Sequence, residues 1–436
     1  MREMKDSGIE WIGEIPKDWS LKKGRYLFVQ RNDRGNDENL QLLSPSQKFG
    51  VIPQSLLEDL TTQTTVKLKE NTDLSTLKTV HKGDFCISLR SFQGGFEYSE
   101  YEGVVSPAYQ IFYKKEDLVN TYYKYIFKDS SFISKMNSYT MSLRDGKNIS
   151  YFDFGNTYLP LPTVCEQQQI ADYLDTQCSE IDATAEDIQK EISLLEDYKK
   201  SVITEAVTKG LNPDAEMKDS GIAWIGDIPK DWDLLKIGYV TKEISDIDHY
   251  MPSDSDDIDK VPYVMIGDLK ENISQIDFES CKYISKKVYR ALSIKSKPEK
   301  ENVIFARYAT IGTVCFVDSE KQLLVSYACL TVKANELIKG RFLFYYFKSN
   351  AFLEEVSQYV KSNTQGNIGK ESLVRAKIVV PKLKEQTQII SYLDSKCSEI
   401  DAIIADKKRQ FDILAEYKKS LIYEYVTGKK EVPVHE

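Results

Sequence analysis

Histidine is scarce in this chain. There are three in 436 residues, His81, His249 and His435, scattered from end to end. That count argues against a histidine-based triad or a histidine-rich metal site. The seven cysteines (Cys86, Cys165, Cys178, Cys281, Cys315, Cys329 and Cys397) form no CxxC pair. An odd number without metal-ligand spacing argues against a disulfide framework and against structural zinc. No apolar run approaches the ~20 residues that span a bilayer. The opening "MREMKDSG" lacks the apolar core of a signal peptide. A cytoplasmic protein with no membrane partner is therefore expected.

Catalytic signatures are missing as well. "GNIGKES" does not meet the GxxxxGK[ST] phosphate-loop pattern, and no GxGxxG follows a strand. No Asn/Asp-Pro-Pro-aromatic tetrapeptide, the signature of amino-group DNA methylation, is present. "NPDAEMK", residues 212–218, is too compressed to place two carboxylates and a lysine around one metal, and reads as a linker. Nothing assembles a nucleophile, a base and an orienter. A binding protein, not an enzyme, is expected, with no cofactor or metal of its own. Positive charge is also short: 58 Lys and Arg against 67 Asp and Glu, a formal net charge of −9. Phosphate contacts need cations, so this balance counts against a nucleic-acid binder. A basic groove can nevertheless coexist with acidic helices elsewhere.

What the chain does have is repetition. "MKDSGIEWIGEIPKDW" runs from Met4 to Trp19, and "MKDSGIAWIGDIPKDW" from Met217 to Trp232. All four tryptophans lie in these copies: Trp11, Trp19, Trp224 and Trp232. A second pair follows. "EQQQIADYLDTQCSEIDATAEDIQKEISLLEDYKKSVITEAVT" covers Glu166 to Thr208, and "EQTQIISYLDSKCSEIDAIIADKKRQFDILAEYKKSLIYEYVT" covers Glu385 to Thr427. The order is a Trp stretch, a divergent middle and a similar ending, stated twice: one tandem duplication.

The endings read as long helices. Leu174, Ile181, Ile188, Leu195 and Val202 recur every seven residues, with Cys178, Ala185 and Ile192 as a companion row. The second copy offers Leu393, Ile400, Leu414 and Leu421, with Cys397, Ile404 and Phe411; Lys407 interrupts its first row. Such a stripe wants a partner helix. The expected seam is Leu174, Cys178, Ile181, Ile188, Ile192 and Leu195 against Leu393, Cys397, Ile400, Ile404, Phe411 and Leu414. The two cysteines are then packing residues. At 1.5 Å per residue each helix is roughly 63 Å long. "YKKS" in both copies reads as a cation pair near a helix C-terminus, with a phosphate contact as the alternative.

The divergent middles share an anatomy. The first has "KGDFCISLRSFQGGF", "EGVVSPAYQIFY", an aromatic helix and "LRDGKNISYFDFGNTYLPLP". The second has "EKENVIFARYATIGTVCFV", "LLVSYACLTV", another aromatic helix and "TQGNIGKESLVRAKIVVP". Strands, a helix, a Gly-Asn turn and a last strand recur in order, so each middle is read as an α+β domain. The acidic run Ser245–Lys260 reads as a solvated insertion, since it lacks the Gly and terminal Glu of a calcium loop.

Two divergent domains alternating with two similar helices, each domain led by "SGIxWIGxIPKDW", resemble the specificity subunit of type I restriction–modification systems. The duplicated "EQxxIxxYLDxxCSEID" and the endings "YKKSVITEAVTKG" and "YKKSLIYEYVTGK" strengthen the resemblance, which covers essentially the whole chain. It implies an α+β protein with a pseudo-two-fold internal repeat, in which two target recognition domains are separated by two long antiparallel coiled-coil-like helices. The expected segments are 1–161 (first recognition domain with its Trp arm), 162–210 (first helix), 211–381 (second recognition domain with its arm) and 382–436 (second helix and tail). The Trp stretch is then an extended arm that pins each domain to the helices, with contact to a methyltransferase as the alternative. Expected partners are double-stranded DNA, two methyltransferase subunits and restriction/translocase subunits. S-adenosylmethionine, ATP and Mg would sit on those partners.

Base edges are read by polar side chains on loops that reach the major groove. The expected DNA contacts are Arg90, Ser91 and Gln93, and Arg144, Lys147 and Asn148, in the first domain. In the second they are Arg307, Tyr308 and Thr310, and Thr364, Gln365 and Asn367. The competing reading is a coiled-coil interaction scaffold without sequence-specific DNA binding. It would explain the helices and the acidic charge, but not two domains sharing one loop anatomy.

Overall fold

The computed structural model describes residues 2–35, 40–61, 74–88, 95–115, 117–139, 149–255, 259–270, 275–308, 312–359 and 368–433. The compact units do not follow the four consecutive segments that the repeats suggest. One holds Met1–Asp187 with Gln410–Glu436, the other Ile188–Arg409. Each long helix thus contributes to both, because each packs part of its length beside a different domain. The first runs Val164–Lys209 and the second Leu383–Val426.

Within each unit the domain is built around one four-stranded antiparallel sheet. In the first its order is Phe28–Arg31, Gln110–Lys114, Phe85–Ile87, Phe96–Tyr98. In the second it is Thr241–Ser245, Cys329–Ala334, Val303–Ala306, Val314–Phe316. Successive side chains of a strand point to opposite faces, and here both faces are covered. Phe85, Ile87 and Phe112 enter a core with the aromatic helix, while Cys86 and Ile111 enter a second core with Leu43, Val51 and Val80. Val303 and Phe305 divide from Ile304 and Ala306 in the same way. That is why these strands read as apolar runs without alternation.

A helix pair follows the sheet in each unit: Asn120–Lys128 with Ser130–Ser138, and Gly340–Phe347 with Asn350–Ser357. A short helix and a last strand close the domain. Tyr158–Leu161 pairs with Ser20–Lys23, and Lys377–Val380 with Asp233–Lys236. The two units differ in what is inserted between the first and second sheet strands. The first inserts the hairpin Leu43–Ser46/Gly50–Pro53; the second inserts Lys260–Val264 and Lys282–Ser285, which Leu324–Val325 from later in the chain completes as a three-stranded sheet.

The Trp stretch is not an extended arm. It folds as a hairpin, Met4–Asp6 paired with Glu14–Pro16, and its second copy pairs Met217–Asp219 with Asp227–Pro229. Gly8 and Gly13 take φ of +67° and +69°, the left-handed values such a tight turn demands.

Most of the expected helix seam is buried: Leu174, Cys178, Ile181, Ile188, Ile192, Leu393, Cys397, Ile400 and Ile404. Leu195 and Leu414 are half-buried. Phe411 departs from expectation: it is 37% exposed and belongs to neither core. Its stretch carries Lys407 and Lys418, whose amines reach Glu191 (2.5 Å) and Asp182 (2.6 Å). Ion pairs, not a closed apolar layer, line the helix there.

Candidate nucleic-acid interface

The described residues that flank the candidate segments meet at one end of each sheet. In the first domain Ser88 N–H donates to Gly95 O at 2.6 Å, joining the two ends of the segment that holds Arg90, Ser91 and Gln93. Ile87 at that strand end pairs with Gln110. The Gln110 side chain donates to Ile149 O (3.2 Å) and accepts from Tyr151 N–H (2.6 Å), directly after the segment holding Arg144, Lys147 and Asn148. In the second domain Ala306 N–H donates to Thr313 O (2.9 Å), across the loop holding Thr310. Ile368 N–H donates to Arg307 O (3.1 Å), directly after the segment holding Thr364, Gln365 and Asn367. Both units therefore root the two candidate segments side by side.

Of the twelve expected contacts only Arg307 and Tyr308 are among the described residues; the other ten lie outside them. Arg307 pairs with a carboxylate of its own domain. Its Nη1 donates to Asp246 at 2.6 Å, its side chain is 19% exposed, and among the described residues its Nε has no acceptor. The guanidinium lies 5.7 Å from the Tyr308 ring centroid. Asp246 belongs to the acidic run, which is not simply solvated. Asp248 of the same run receives Lys295 at 2.5 Å, and His249 packs against Tyr327, ring centroids 3.9 Å apart and planes tilted by 37°. Carboxylates of the run pair with cations of the surrounding domain.

The duplicated stretches meet one another. Glu166 and Thr163 cap the first long helix reciprocally: Thr163 N–H donates to Glu166 Oε2 (3.1 Å), and Glu166 N–H to Thr163 Oγ1 (3.3 Å). The other oxygen of Glu166 accepts from Trp19 Nε1 (3.3 Å), and Glu385 accepts from Trp232 Nε1 (2.9 Å). The first lysine of each "YKKS" is likewise not a helix-end cation. Lys199 reaches Asp401 and Lys418 reaches Asp182, both at 2.6 Å, each Asp being the last residue of "CSEID". Antiparallel pairing puts the late part of one helix beside the early part of the other, which is why "YKK" finds "EID" in each unit. The signal was present as two duplicated charges of opposite sign. Burial pushes the Cys178 thiol up to about 11 and raises that of Cys397, so both are inert packing groups.

Among the described residues, no cluster of three or more His, Cys, Asp or Glu could hold a metal ion, and no helix is long and apolar enough to cross a membrane. The type I restriction modification DNA specificity domain matches the chain twice, at residues 15–194 and 229–410. The chain belongs to that family. It is the specificity subunit of a type I restriction–modification system, with two recognition domains of the α+β class. The MjaVIII specificity subunit of Methanocaldococcus jannaschii is 28% identical to it over 306 residues, 68% of each chain. The putative MjaX specificity subunit of the same organism is 24% identical over 447 residues, 97% of this chain and 96% of that one. A chain solved in work on complex assembly and conformational transition of the type I R–M system shares the fold. Its TM-score is 0.67 at 14% identity, covering 95% of this chain and 99% of that one.

Proposed function

We propose that each recognition domain of this specificity subunit reads one half of a bipartite, asymmetric site in double-stranded DNA. The two long helices fix the spacing of the half-sites and dock two methyltransferase subunits. The chain itself performs no chemistry. It works in the cytoplasm, where restriction/translocase subunits join the complex. S-adenosylmethionine is carried by the methyltransferase subunits, and ATP and Mg by the translocase.

The observation that carries this reading is the shared root of the loop pairs. Two frames of the same strand order each bring the residues that flank two candidate segments together at one end of the sheet, and the segments differ in sequence: "LRDGKN" in one, "NTQGNI" in the other. The same frame with different readers fits two half-sites of different sequence. The helices add a second line of support. Leu194 and Tyr198 are 68% and 51% exposed, and their counterparts Ile413 and Tyr417 are 61% and 50% exposed. Residues four apart share one helix face, so each repeat offers one apolar docking pair.

The loops are tested by Arg144→Ala and Gln365→Ala in the assembled methyltransferase. Where the side chain reads a base, truncation costs cognate DNA ~1–3 kcal/mol and relaxes specificity at one position. Where it touches a phosphate, truncation weakens all sequences alike and lowers the salt slope by about one unit. Unchanged binding for both variants removes these segments from the interface.

A further inference from the structure

The second domain buries a carboxylate where the first has a cleft. Glu355 is 3% exposed, and three donors converge on it: Trp224 Nε1 (3.1 Å), the Tyr359 hydroxyl (3.2 Å) and Lys377 N–H (3.0 Å). The matching stretches are "FKDSSFISKMNSY" and "FKSNAFLEEVSQY", which place Phe132 with Phe352 and the helix caps Asp129 with Ser349. Lys135 then stands where Glu355 does, Tyr139 for Tyr359, Tyr158 for Lys377 and Trp11 for Trp224. The donors are kept, and the acceptor has become a cation.

The result in the first domain is one unanswered donor beside a cation without a carboxylate. Trp11 is 6% exposed, and among the described residues its indole N–H has no acceptor. A buried donor left unpaired is costly, so such groups call for an explanation. Among the described residues Lys135 has no carboxylate partner, and its amine lies 4.7 Å from the Tyr139 ring centroid. The Tyr139 hydroxyl meets Thr157 Oγ1 at 3.3 Å. Trp11, Lys135, Tyr139 and Tyr158 line a cleft of about 740 Å³, with the exposed Glu10 also on its wall.

We propose that this cleft binds a carboxylate supplied from outside the chain, in the place that Glu355 holds in the second domain. Lys135 swings off Tyr139 on its flexible stem and balances the charge, and Trp11 Nε1 and the Tyr139 hydroxyl donate. A carboxylate fits better than a phosphate for two reasons: the internal occupant of the same frame is one, and one cation matches one charge. The carrier is a small carboxylic acid or an acidic side chain of a partner protein.

The test reads the tryptophan indole N–H resonances of the full-length, ¹⁵N-labelled chain, with Trp11→Phe and Trp224→Phe supplying assignments. Acetate, citrate and inorganic phosphate are titrated at constant ionic strength. The Trp11 resonance is expected to move saturably with acetate or citrate and the Trp224 resonance to stay. Lys135→Met should weaken the response about tenfold, as removal of a charge-assisted bond does. Lys135→Glu installs the missing acceptor. Its Trp11 resonance should start at the bound position and not respond. Glu10→Gln should leave the titration unchanged. The proposal is overturned if no carboxylate moves Trp11, if phosphate acts equally well, or if Glu10→Gln alone shifts the resonance, since the chain would then fill its own cleft. Adding methyltransferase subunit in carboxylate-free buffer separates the carriers. The same shift assigns the carboxylate to a partner side chain; no shift, with acetate or citrate active, assigns it to a small acid.

Discussion

In both halves of the chain the second tryptophan of the duplicated stretch is buried and donates to the glutamate near the start of a long helix, Trp19 to Glu166 and Trp232 to Glu385. The first tryptophan is handled differently. Trp224 finds Glu355, whereas Trp11 lines one cleft with Lys135 and its N–H has no acceptor among the described residues. The same division runs through the molecule. Contacts that tie a domain to a helix, and the helices to each other, are stated twice in nearly identical form, down to the helix–helix pairs Lys199–Asp401 and Lys418–Asp182. Contacts on a domain's own surface have diverged, as have the inserted strands and the loop segments. The halves are alike where the chain builds a frame and unlike in the inserted strands and in the sequence of the candidate segments.

The strongest way to break that division is at the docking pairs, where the halves should be equivalent. Native mass spectrometry of the co-expressed subunits should show two methyltransferases per chain. Leu194→Glu with Tyr198→Glu should leave one, and Ile413→Glu with Tyr417→Glu should also leave one, because a buried unpaired charge abolishes an apolar contact. A strict 1:1 complex of the unaltered chain at saturating partner would show that the repeats are not equivalent docking sites.

A smaller effect separates the glycines that end the helices. Gly210 and Gly428 both take left-handed φ, +77° and +73°. A β-carbon on Gly428 would lie 2.6 Å from Pro16 ring atoms and 2.9 Å from Trp19 Cη2; on Gly210 it would lie 3.0 Å from Trp232 Cζ2. Gly428→Ala should therefore cost ~3 kcal/mol, left-handed strain plus overlap with a rigid ring. Gly210→Ala should cost ~1–2 kcal/mol, mainly the strain. Urea unfolding followed by tryptophan fluorescence compares them. Equal destabilisation would mean that the tail grips its hairpin no more tightly than the first helix end does.

Much of this frame is legible in the sequence, because duplication marks its parts and heptads mark its helices. Pairing is not. "YKK" and "EID" are visible as separate stretches, but nothing local says that Lys199 reaches Asp401, since antiparallel register depends on how two distant helices slide together. Phe411 has the spacing of a seam residue, yet the neighbouring lysines pair across to carboxylates and leave it exposed. The acidic run reads as solvated because its partners, Arg307 and Lys295, lie far along the chain. Arg307 has the residue type and loop position of a base reader, and spacing gives no sign of its clamp to Asp246. The hairpin in the Trp stretch is hard to see because each strand has only three residues.

The claim that the chain is one frame carrying two independent readers is tested most directly by exchanging one reader. Residues 20–160 would be replaced by the matching segment of a relative with a different target. The methylated motif would then be read in the host genome by long-read sequencing. The account predicts a non-palindromic motif in which one half changes while the other half and the gap between them stay. A change in both halves, or in neither, from a variant that still methylates DNA would contradict it.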